Sequence, residues 1–191
     1  MTLINMLALT GVREPSFRLM IEHLSLCHFP LIVETGCARE ENNFAGDGQS
    51  TIIFDRYVNA NGGELQSVDI SPENVAVAQR QVGPRTRIHC ADSIEYLWRL
   101  NQELTANNLY IDLLYLDSFD VDFNHPAPSA HHHLKELTAI ISRLKPGSLV
   151  VVDDNLEIDG HHVGKGYLVE EFMQAIGKPI VYRGYQYIWR F

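Results

Sequence analysis

Short apolar runs alternate with amphipathic segments along most of the chain. Five such runs predict buried strands at 31–34, 64–70, 86–90, 110–117 and 148–153. Each is followed by a segment with helical spacing, and the fourth run, YIDLLYLD, is almost wholly apolar, as a strand buried on both faces should be. The pattern is typical of a parallel sheet with helices on both faces.

The beginning of the chain departs from this alternation. Residues 15–27 start with a proline and carry apolar residues on one helical face, which predicts a helix that covers the sheet or a ligand cleft. The same apolar face would also suit a homodimer interface. We expect a single domain over 1–191, with a helical cap at 1–30 and the core at 31–191.

The end of the chain departs from it as well. A Gly/His-rich segment at 159–166 is predicted to be a loop, and a sixth helix is predicted at 167–176. Two β-rich runs follow at 179–182 and 185–189, separated by Arg183-Gly184. This arrangement predicts an antiparallel strand pair at the end of the chain.

One loop carries the clearest ligand-binding pattern. This loop lies in residues 31–51, LIVETGCAREENNFAGDGQST. The first strand ends at Glu34, and Gly36 follows it. A polar loop then leads into a helix that Ser50 or Thr51 is expected to cap. Ligands of open α/β sheets bind at the carboxyl ends of strands, near the unpaired N–H groups of helix starts. The loop is therefore predicted to hold a nucleotide-like cofactor.

Polar residues also end the second and third strands. Asp69 ends the second strand, where a carboxylate can accept hydrogen bonds from two ribose hydroxyls. Asp92 and Ser93 follow the third strand, and this pair suits either a ligand contact or a helix cap. These positions favour a nucleoside ligand.

Acidic residues are concentrated after the fourth and fifth strands. Asp117 ends the fourth strand, and Asp153, Asp154 and Asn155 end the fifth. Adjacent strands would bring these oxygen atoms to one edge of the cleft. Hard oxygen ligands suit Mg²⁺, which usually keeps several waters or substrate oxygens.

Composition narrows the class of protein. Hydrophobic residues make up 46% of the chain and charged residues 20%, as in ordinary globular proteins. A formal net charge of -9 argues against a nucleic-acid partner. Three cysteines without CxxC spacing predict reduced thiols, and no run approaches the roughly 20 apolar residues of a membrane span. We expect a cytoplasmic protein without a membrane or nucleic-acid partner.

Two motifs, taken with the order of elements, resemble a known family. The ETG…GDGQST loop resembles the E-x-G…G-G-x-S loop of the small macrocin- and catechol-type O-methyltransferases, with extra residues between its halves. LKPGSLVVVDDN resembles their L-x-P-G-G-x-x-x-x-D-[DN] segment. From residue 31 to 191 the chain thus resembles class I S-adenosylmethionine-dependent methyltransferases. This implies an α/β, Rossmann-like three-layer sandwich whose seven-stranded, mostly parallel sheet ends in an antiparallel β-hairpin strand.

The resemblance also implies a cofactor site along the strand ends. The first loop would take the methionine end, the second strand the ribose, and the third strand the adenine. A glycine in the loop permits close backbone approach, and a carboxylate can accept from the cofactor's ammonium. The implied cofactor-binding residues are Glu34, Gly36, Cys37, Ser50, Asp69, Ile70, Asp92, Ser93 and Asp117.

The same resemblance suggests metal ligands, and the histidines that open the helix after the fourth strand offer a base. Catechol-type enzymes bind magnesium through a matching Asp…Asp-Asn set, which makes Asp117, Asp154 and Asn155 candidate ligands for Mg²⁺. The alternative is that these residues position cofactor and substrate by hydrogen bonding alone. His132 or His133, with Asp117, is the candidate for deprotonating an acceptor hydroxyl, although each histidine also suits a structural role.

The expected function is methyl transfer from S-adenosylmethionine to a small-molecule acceptor, at oxygen rather than nitrogen. An NAD(P)-dependent oxidoreductase should show G-x-G-x-x-G after the first strand, whereas Gly36 is followed here by Cys37-Ala38-Arg39. A non-catalytic nucleotide-binding protein on the same fold is the other alternative. The insertion 39–47 is expected either to fold over the cofactor or to shape the acceptor pocket.

Overall fold

A seven-stranded sheet runs through the protein, and helices pack on both of its faces. The computed structural model describes residues 1–191. The helices are α1 (Leu3–Leu7), α2 (Glu14–Ser25), α3 (Ser50–Asn61), α4 (Pro72–Gln79), α5 (Ser93–Ala106), α6 (Ala127–Ile140) and α7 (Tyr167–Ala175). The strands are β1 (Leu31–Thr35), β2 (Glu64–Asp69), β3 (Thr86–Cys90), β4 (Ile111–Leu116), β5 (Leu144–Val152), β6 (Asn155–Ile158), β7 (His161–Gly164), β8 (Ile180–Arg183) and β9 (Tyr187–Arg190).

The strand order of the main sheet is β3-β2-β1-β4-β5-β9-β8. Strands β1 to β5 are parallel, and β9 lies antiparallel between β5 and β8, with Val151 opposite Ile188. The predicted mostly parallel sheet with a terminal antiparallel hairpin is confirmed. Strands β2 and β3 lie on one side of β1 and strands β4 and β5 on the other, so the strand order switches between β1 and β4 and the carboxyl ends of these neighbouring strands border one crevice.

Two hydrophobic cores lie on opposite faces of the sheet. One contains Phe17, Phe54 and Tyr115. The rings of Phe54 and Tyr115 pack edge to face, with their centroids 5.4 Å apart. The other contains Leu137 and Trp189 from the second helical layer and the last strand. Strand β4 supplies alternate residues to the two cores and is buried along its whole length. Its almost wholly apolar sequence suits this central position, because both of its faces are covered. No helix has the length and apolar character that a bilayer crossing requires.

The start of α3 differs from the prediction. The N-cap is Gln49, in the left-handed region at φ 55°, and its side chain makes no capping bond. The Thr51 hydroxyl instead accepts from the backbone N–H of Ala38 and donates to Glu34. The predicted cap by Ser50 or Thr51 is wrong, because long-range contacts take up the Thr51 hydroxyl.

The segment predicted as a Gly/His loop also differs. It is half of an antiparallel hairpin in which β6 pairs with β7. Asp159 and Gly160 form its turn, both with positive φ, and an Asp-Gly pair between two apolar-containing runs is a known hairpin signal. The loop prediction for 159–166 is therefore wrong, although a local signal for the hairpin was present.

Candidate functional site

Two neighbouring cavities open at the carboxyl ends of the parallel strands. The first has a volume of about 190 Å³ and the second about 310 Å³. They share Asp69, Ile70 and Ser118, and we call the two together the cleft. Of the predicted cofactor residues, the cleft is lined by Gly36, Cys37, Ser50, Asp69, Ile70, Asp92, Ser93 and Asp117.

Gly36 brings the first loop close to the end of β4. Its φ is +78°, and its N–H donates to the carbonyl oxygen of Val68 at 2.8 Å. A Cβ at this position would collide with the backbone carbonyl of Asp117. Only glycine combines this backbone conformation with so close an approach, so the loop geometry that forms the cleft depends on it.

Cys37, the next residue, contributes its backbone to the cleft. Its N–H donates to Asp69 Oδ2 at 3.2 Å, while its side chain is buried. Burial raises the pKa of the Cys37 thiol, and the Asp69 and Glu34 carboxylates raise it further. The thiol is therefore protonated and poorly reactive.

Glu34 lies beneath the loop and does not line the cleft. It is fully buried, and its Oε2 accepts from the hydroxyls of Thr51 at 2.7 Å and Ser67 at 2.6 Å. Its Oε1 has no hydrogen-bond partner. Burial raises the pKa of Glu34 to about 7, although the surrounding hydroxyls act in the opposite direction. Glu34 therefore holds the loop from below, and the prediction that it accepts from a cofactor ammonium, directly or through water, stays a prediction.

Asp69 presents a fixed carboxylate to both cavities. It accepts from the N–H of Cys37, from the N–H of Ser71 at 2.8 Å and from the Asn74 amide at 3.3 Å. All of these donors are neutral, so no cation of the chain is paired with this carboxylate. Ile70 beside it is 72% exposed and offers an apolar surface to the cleft.

Asp92 serves as a helix cap, and both Asp92 and Ser93 line the second cavity, where the predicted ligand contact stays a prediction. Asp92 caps α5 by accepting from the N–H of Glu95 at 3.0 Å. The Ser93 hydroxyl pairs with His132 Nε2 at 2.9 Å. Asp92, Ser93 and His132 all line the second cavity. His132 also packs against the ring of Phe119, with ring centroids 5.4 Å apart.

His133 lies outside the cleft. It is fully buried and its Nδ1 lies 2.7 Å from the carbonyl oxygen of Ser129. Burial lowers the pKa of the His133 imidazole to about 4. The prediction of His133 as a catalytic base is wrong, because the helical face nearest the apolar stripe points into the core and not to the cleft rim.

The acids after β4 and β5 surround a buried lysine. Lys165 Nζ contacts Asp117 Oδ1 and lies 2.8 Å from Asp154 Oδ2, and its side chain is 1% exposed. Asp154 would have its pKa raised by burial, but Lys165 and Arg13 outweigh that effect and the net pKa is lowered. These carboxylates therefore already have a cationic partner supplied by the chain.

Asn155 is turned toward the β6–β7 hairpin. Its Oδ1 accepts from the N–H of Gly166 at 2.8 Å and pairs with His162 Nε2 at 2.9 Å. Its Nδ2 donates to the carbonyl oxygen of Val152 at 2.7 Å. Because the side-chain amide of Asn155 is already hydrogen-bonded within the chain, Asp117, Asp154 and Asn155 do not form the predicted Mg²⁺ ligand set. No other cluster of three metal-ligating side chains is present.

Arg13 completes this acidic cluster from the opposite end of the sequence. Its Nε lies 2.8 Å from Asp153 Oδ2, and its Nη2 lies 3.1 Å from Asp154 Oδ1. The Tyr115 hydroxyl also donates to Asp153 at 2.7 Å. Sequence reasoning missed both Arg13 and Lys165. The only local sign was the pair of glycines that flank Lys165.

The insertion forms one wall of the first cavity. Arg39 Nη1 contacts Asp120 at 3.1 Å, and Arg39 Nε contacts Asp47 at 3.2 Å, so Arg39 connects the β1–α3 loop with the β4–α6 loop. Phe44 anchors the insertion in the core of the α2–α3 face. All three charged residues line the cavity.

Comparison with known proteins identifies the family. Residues 45–155 match the model of a methyltransferase domain. The match covers more than half of the chain, so the protein belongs to this methyltransferase family. No curated protein sequence gives a significant match.

Solved structures show the same fold. The chain is similar to CalS10, a SAM-bound amino pentose methyltransferase from Micromonospora echinaspora, with TM-score 0.55, 11% identity and coverage of 94% of this chain and 91% of that one. A putative rRNA-methylase from Clostridium thermocellum gives TM-score 0.57 and 11% identity, covering 91% of this chain and 95% of that one. At such identities the likeness establishes the class I methyltransferase fold alone.

A third structure is the MycE methyltransferase from the mycinamycin biosynthetic pathway, in complex with Mg, SAH and mycinamycin VI. The TM-score is 0.51 and the identity 16%, over 76% of this chain. This chain spans only 36% of the MycE chain. None of these comparisons supports the oxidoreductase alternative.

Proposed function

We propose that the protein transfers the methyl group of S-adenosylmethionine to a small-molecule acceptor, with oxygen as the favoured acceptor atom. The observation that carries this proposal is the cleft, which presents the Asp69 carboxylate beside the glycine loop. A carboxylate held in place in this way can accept hydrogen bonds from a pair of ribose hydroxyls. When bound, the cofactor supplies a methyl group on a sulfonium for in-line displacement, so positioning does most of the catalytic work.

The charge of the first cavity favours this cofactor over a dinucleotide. Four carboxylates line it, and Arg39 is its only basic residue; the four are Asp47, Asp69, Asp117 and Asp120. S-adenosylmethionine carries a sulfonium and an ammonium, which an acidic cavity attracts. The pyrophosphate of NAD would be repelled by the same carboxylates.

Each part of the cofactor has residues suited to it. The backbone of Gly36 and Cys37, with Ser50, would hold the methionine end, and Asp69 would hold the ribose. The second cavity would take the adenine, since it combines the apolar surfaces of Ile70 and Phe119 with the polar groups of Asp92, Ser93 and His132. This division follows the order of the strands along the cleft.

The acceptor would lie against Asp117. This carboxylate lines the first cavity and is 20% exposed, so a hydroxyl can reach it. His132 would contribute from the wall of the second cavity. A small-molecule acceptor is supported by the net charge of -9, which disfavours nucleic acid, and by mycinamycin VI in the MycE complex.

Calorimetric titration with S-adenosylmethionine, S-adenosylhomocysteine and NAD tests the proposal. We expect both sulfur ligands to bind and NAD not to bind. Asp69→Ala should weaken S-adenosylmethionine binding at least about tenfold, since a hydrogen bond to a charged group contributes about 1.5–3 kcal/mol. Asp122→Ala, at an exposed position outside the cleft, is the matched control and should bind normally.

Binding of NAD without either sulfur ligand would overturn the proposal. Binding of S-adenosylmethionine that Asp69→Ala leaves unchanged would show that the cofactor lies elsewhere. Thermal unfolding of both variants is measured alongside, so that a loss of fold is not mistaken for a loss of binding.

A further inference from the structure

The buried Lys165 ammonium occupies the point where two acidic strand ends converge. We propose that Lys165 is a built-in cation that takes the place of a divalent metal at the acceptor side of the cleft, and that it holds Asp117 in position without any metal ion. The inference rests on the proposed function only in assigning Asp117 to the acceptor. The position of the lysine itself is a structural observation.

The contacts of Lys165 leave no room for a divalent ion between the carboxylates. Its Nζ contacts Asp117 Oδ1 and Asp154 Oδ2, the two oxygens on which a bridging metal would depend. Mg²⁺ also keeps several waters, whereas the lysine side chain fills this space and is 1% exposed. A metal could bind here only by displacing the ammonium.

The chain is shaped to bring Lys165 to this point. A Cβ at Gly164 would collide with the carbonyl oxygen of Asp154, and a Cβ at Gly166 would lie 2.6 Å from Asn155 Oδ1. The N–H of Lys165 donates to the Asp154 carbonyl at 3.2 Å. Asn155, the residue expected to be the third metal ligand, therefore serves to dock the segment that carries the lysine.

The charge of the cluster supports the same conclusion. Three carboxylates, on Asp117, Asp153 and Asp154, face the two cations of Arg13 and Lys165, which leaves one net negative charge when all are ionised. A divalent ion that displaced the ammonium would bring two positive charges in place of one and remove the net negative charge beside the sulfonium of the proposed cofactor. With Lys165 as its cation, the cluster instead attracts the cofactor.

Asp117 is the residue that this arrangement positions. Only one of its carboxylate oxygens, Oδ1, contacts the lysine, and no side chain hydrogen-bonds to Oδ2. The second oxygen is thus free for an acceptor hydroxyl at the cavity wall. Lys165 acts here through Asp117 and is a positioning residue.

Mn²⁺ binding to the chelator-treated protein, followed by electron paramagnetic resonance, tests the proposal. We expect no stoichiometric Mn²⁺ binding by the wild type at millimolar ion. Lys165→Ala removes the ammonium and frees the two carboxylates, so it should bind one Mn²⁺ per chain at least tenfold more tightly than the wild type. Lys165→Arg restores a cation and should again bind none. Lys135→Ala, at an exposed lysine, should behave as the wild type.

Several outcomes would overturn the proposal. One is stoichiometric Mn²⁺ binding by the wild type that Asp117→Asn abolishes. Another is a Lys165→Ala variant with a native circular dichroism spectrum that binds no Mn²⁺. If Lys165→Ala does not fold, the wild-type measurement decides by itself. Failure of S-adenosylmethionine binding in calorimetry would count against the proposed function and leave the Mn²⁺ result to stand alone.

Discussion

Two groups of acidic residues lie at the same edge of the sheet and are held in opposite ways. Asp69, the last residue of β2, accepts only from backbone N–H groups and the Asn74 amide. Asp153 and Asp154, after β5, are paired with the cations of Arg13 and Lys165. An acid held by neutral donors has no cation of the chain beside it and can pair with a ligand, whereas an acid paired within the chain already has its counter-charge.

The difference separates two tasks within one cleft. The Asp69 side is organised to bind something that comes from solution. The Asp153–Asp154 side is organised before any ligand arrives, and it sets the position of Asp117 through Lys165. Substitutions on the first side should therefore change ligand affinity with little effect on stability, while those on the second should change stability.

Arg13→Met should give the largest effect. Removing the guanidinium leaves the fully buried Asp153 carboxylate without its cation, and breaking a buried pair in this way costs about 3–5 kcal/mol. Urea unfolding measures the loss. Adding Asp153→Asn to Arg13→Met should recover part of it, since no unpaired charge then remains.

Arg18→Met is the matched control for this prediction. Arg18 makes an exposed pair with Glu14 on α2, and such pairs contribute about 0–1 kcal/mol. An equal loss of stability in both variants would show that the acidic cluster is not held by Arg13.

Glu34→Gln should reveal a smaller effect that depends on pH. The pKa of Glu34 is raised from 4.5 to about 7 in the folded protein, so its stabilising contribution is complete below pH 4.5 and is lost as pH rises through 7. Glutamine does not ionise. Between pH 5 and 7.5 the free energy of unfolding of the variant, relative to wild type, should rise by about 2 kcal/mol.

Urea unfolding at the two pH values tests this prediction. Glu41→Gln, in the same loop but exposed, is the control and should follow the wild type at both pH values. A constant difference between wild type and Glu34→Gln would mean that Glu34 ionises normally and that its burial does not affect loop stability.

Arg39→Ala should have the smallest effect on stability, and it tests the contact between the two loops at the mouth of the cleft. Its side chain is 49% exposed, so its pairs with Asp47 and Asp120 should contribute less than about 1 kcal/mol. Because these pairs join two loops beside the first cavity, we expect S-adenosylmethionine to dissociate several-fold faster from the variant. Stopped-flow displacement measures that rate, and an Asp120→Ala variant should show a similar change if the bridge is responsible.

Much of the fold could be predicted because its signals are local. The alternation of apolar and polar positions depends on neighbouring residues, so the third strand was predicted at 86–90, where β3 lies. Gly36 and Asp69 were placed at the cleft for a similar reason, since residues that end parallel strands meet at one edge of the sheet. The terminal antiparallel pair followed from two β-rich runs around a turn.

The cation partners could not be predicted, because they come from distant parts of the sequence. Arg13 reaches Asp153 across 140 positions, and Lys165 reaches Asp117 across 48. No periodicity or turn signal records such a contact. The histidine error has the same origin, since helical spacing places His133 near the apolar stripe but cannot tell how deeply that face is buried.

Local sequence patterns thus specify the order of the elements, the strand ends that form the cleft and the acids available there. The fold then sets which of those acids remain free for a ligand and which are paired. The two differ because hydrophobic patterning acts between neighbours in the chain. The charge state of a carboxylate, and whether it is free to bind a ligand, depend instead on the side chains that folding brings next to it.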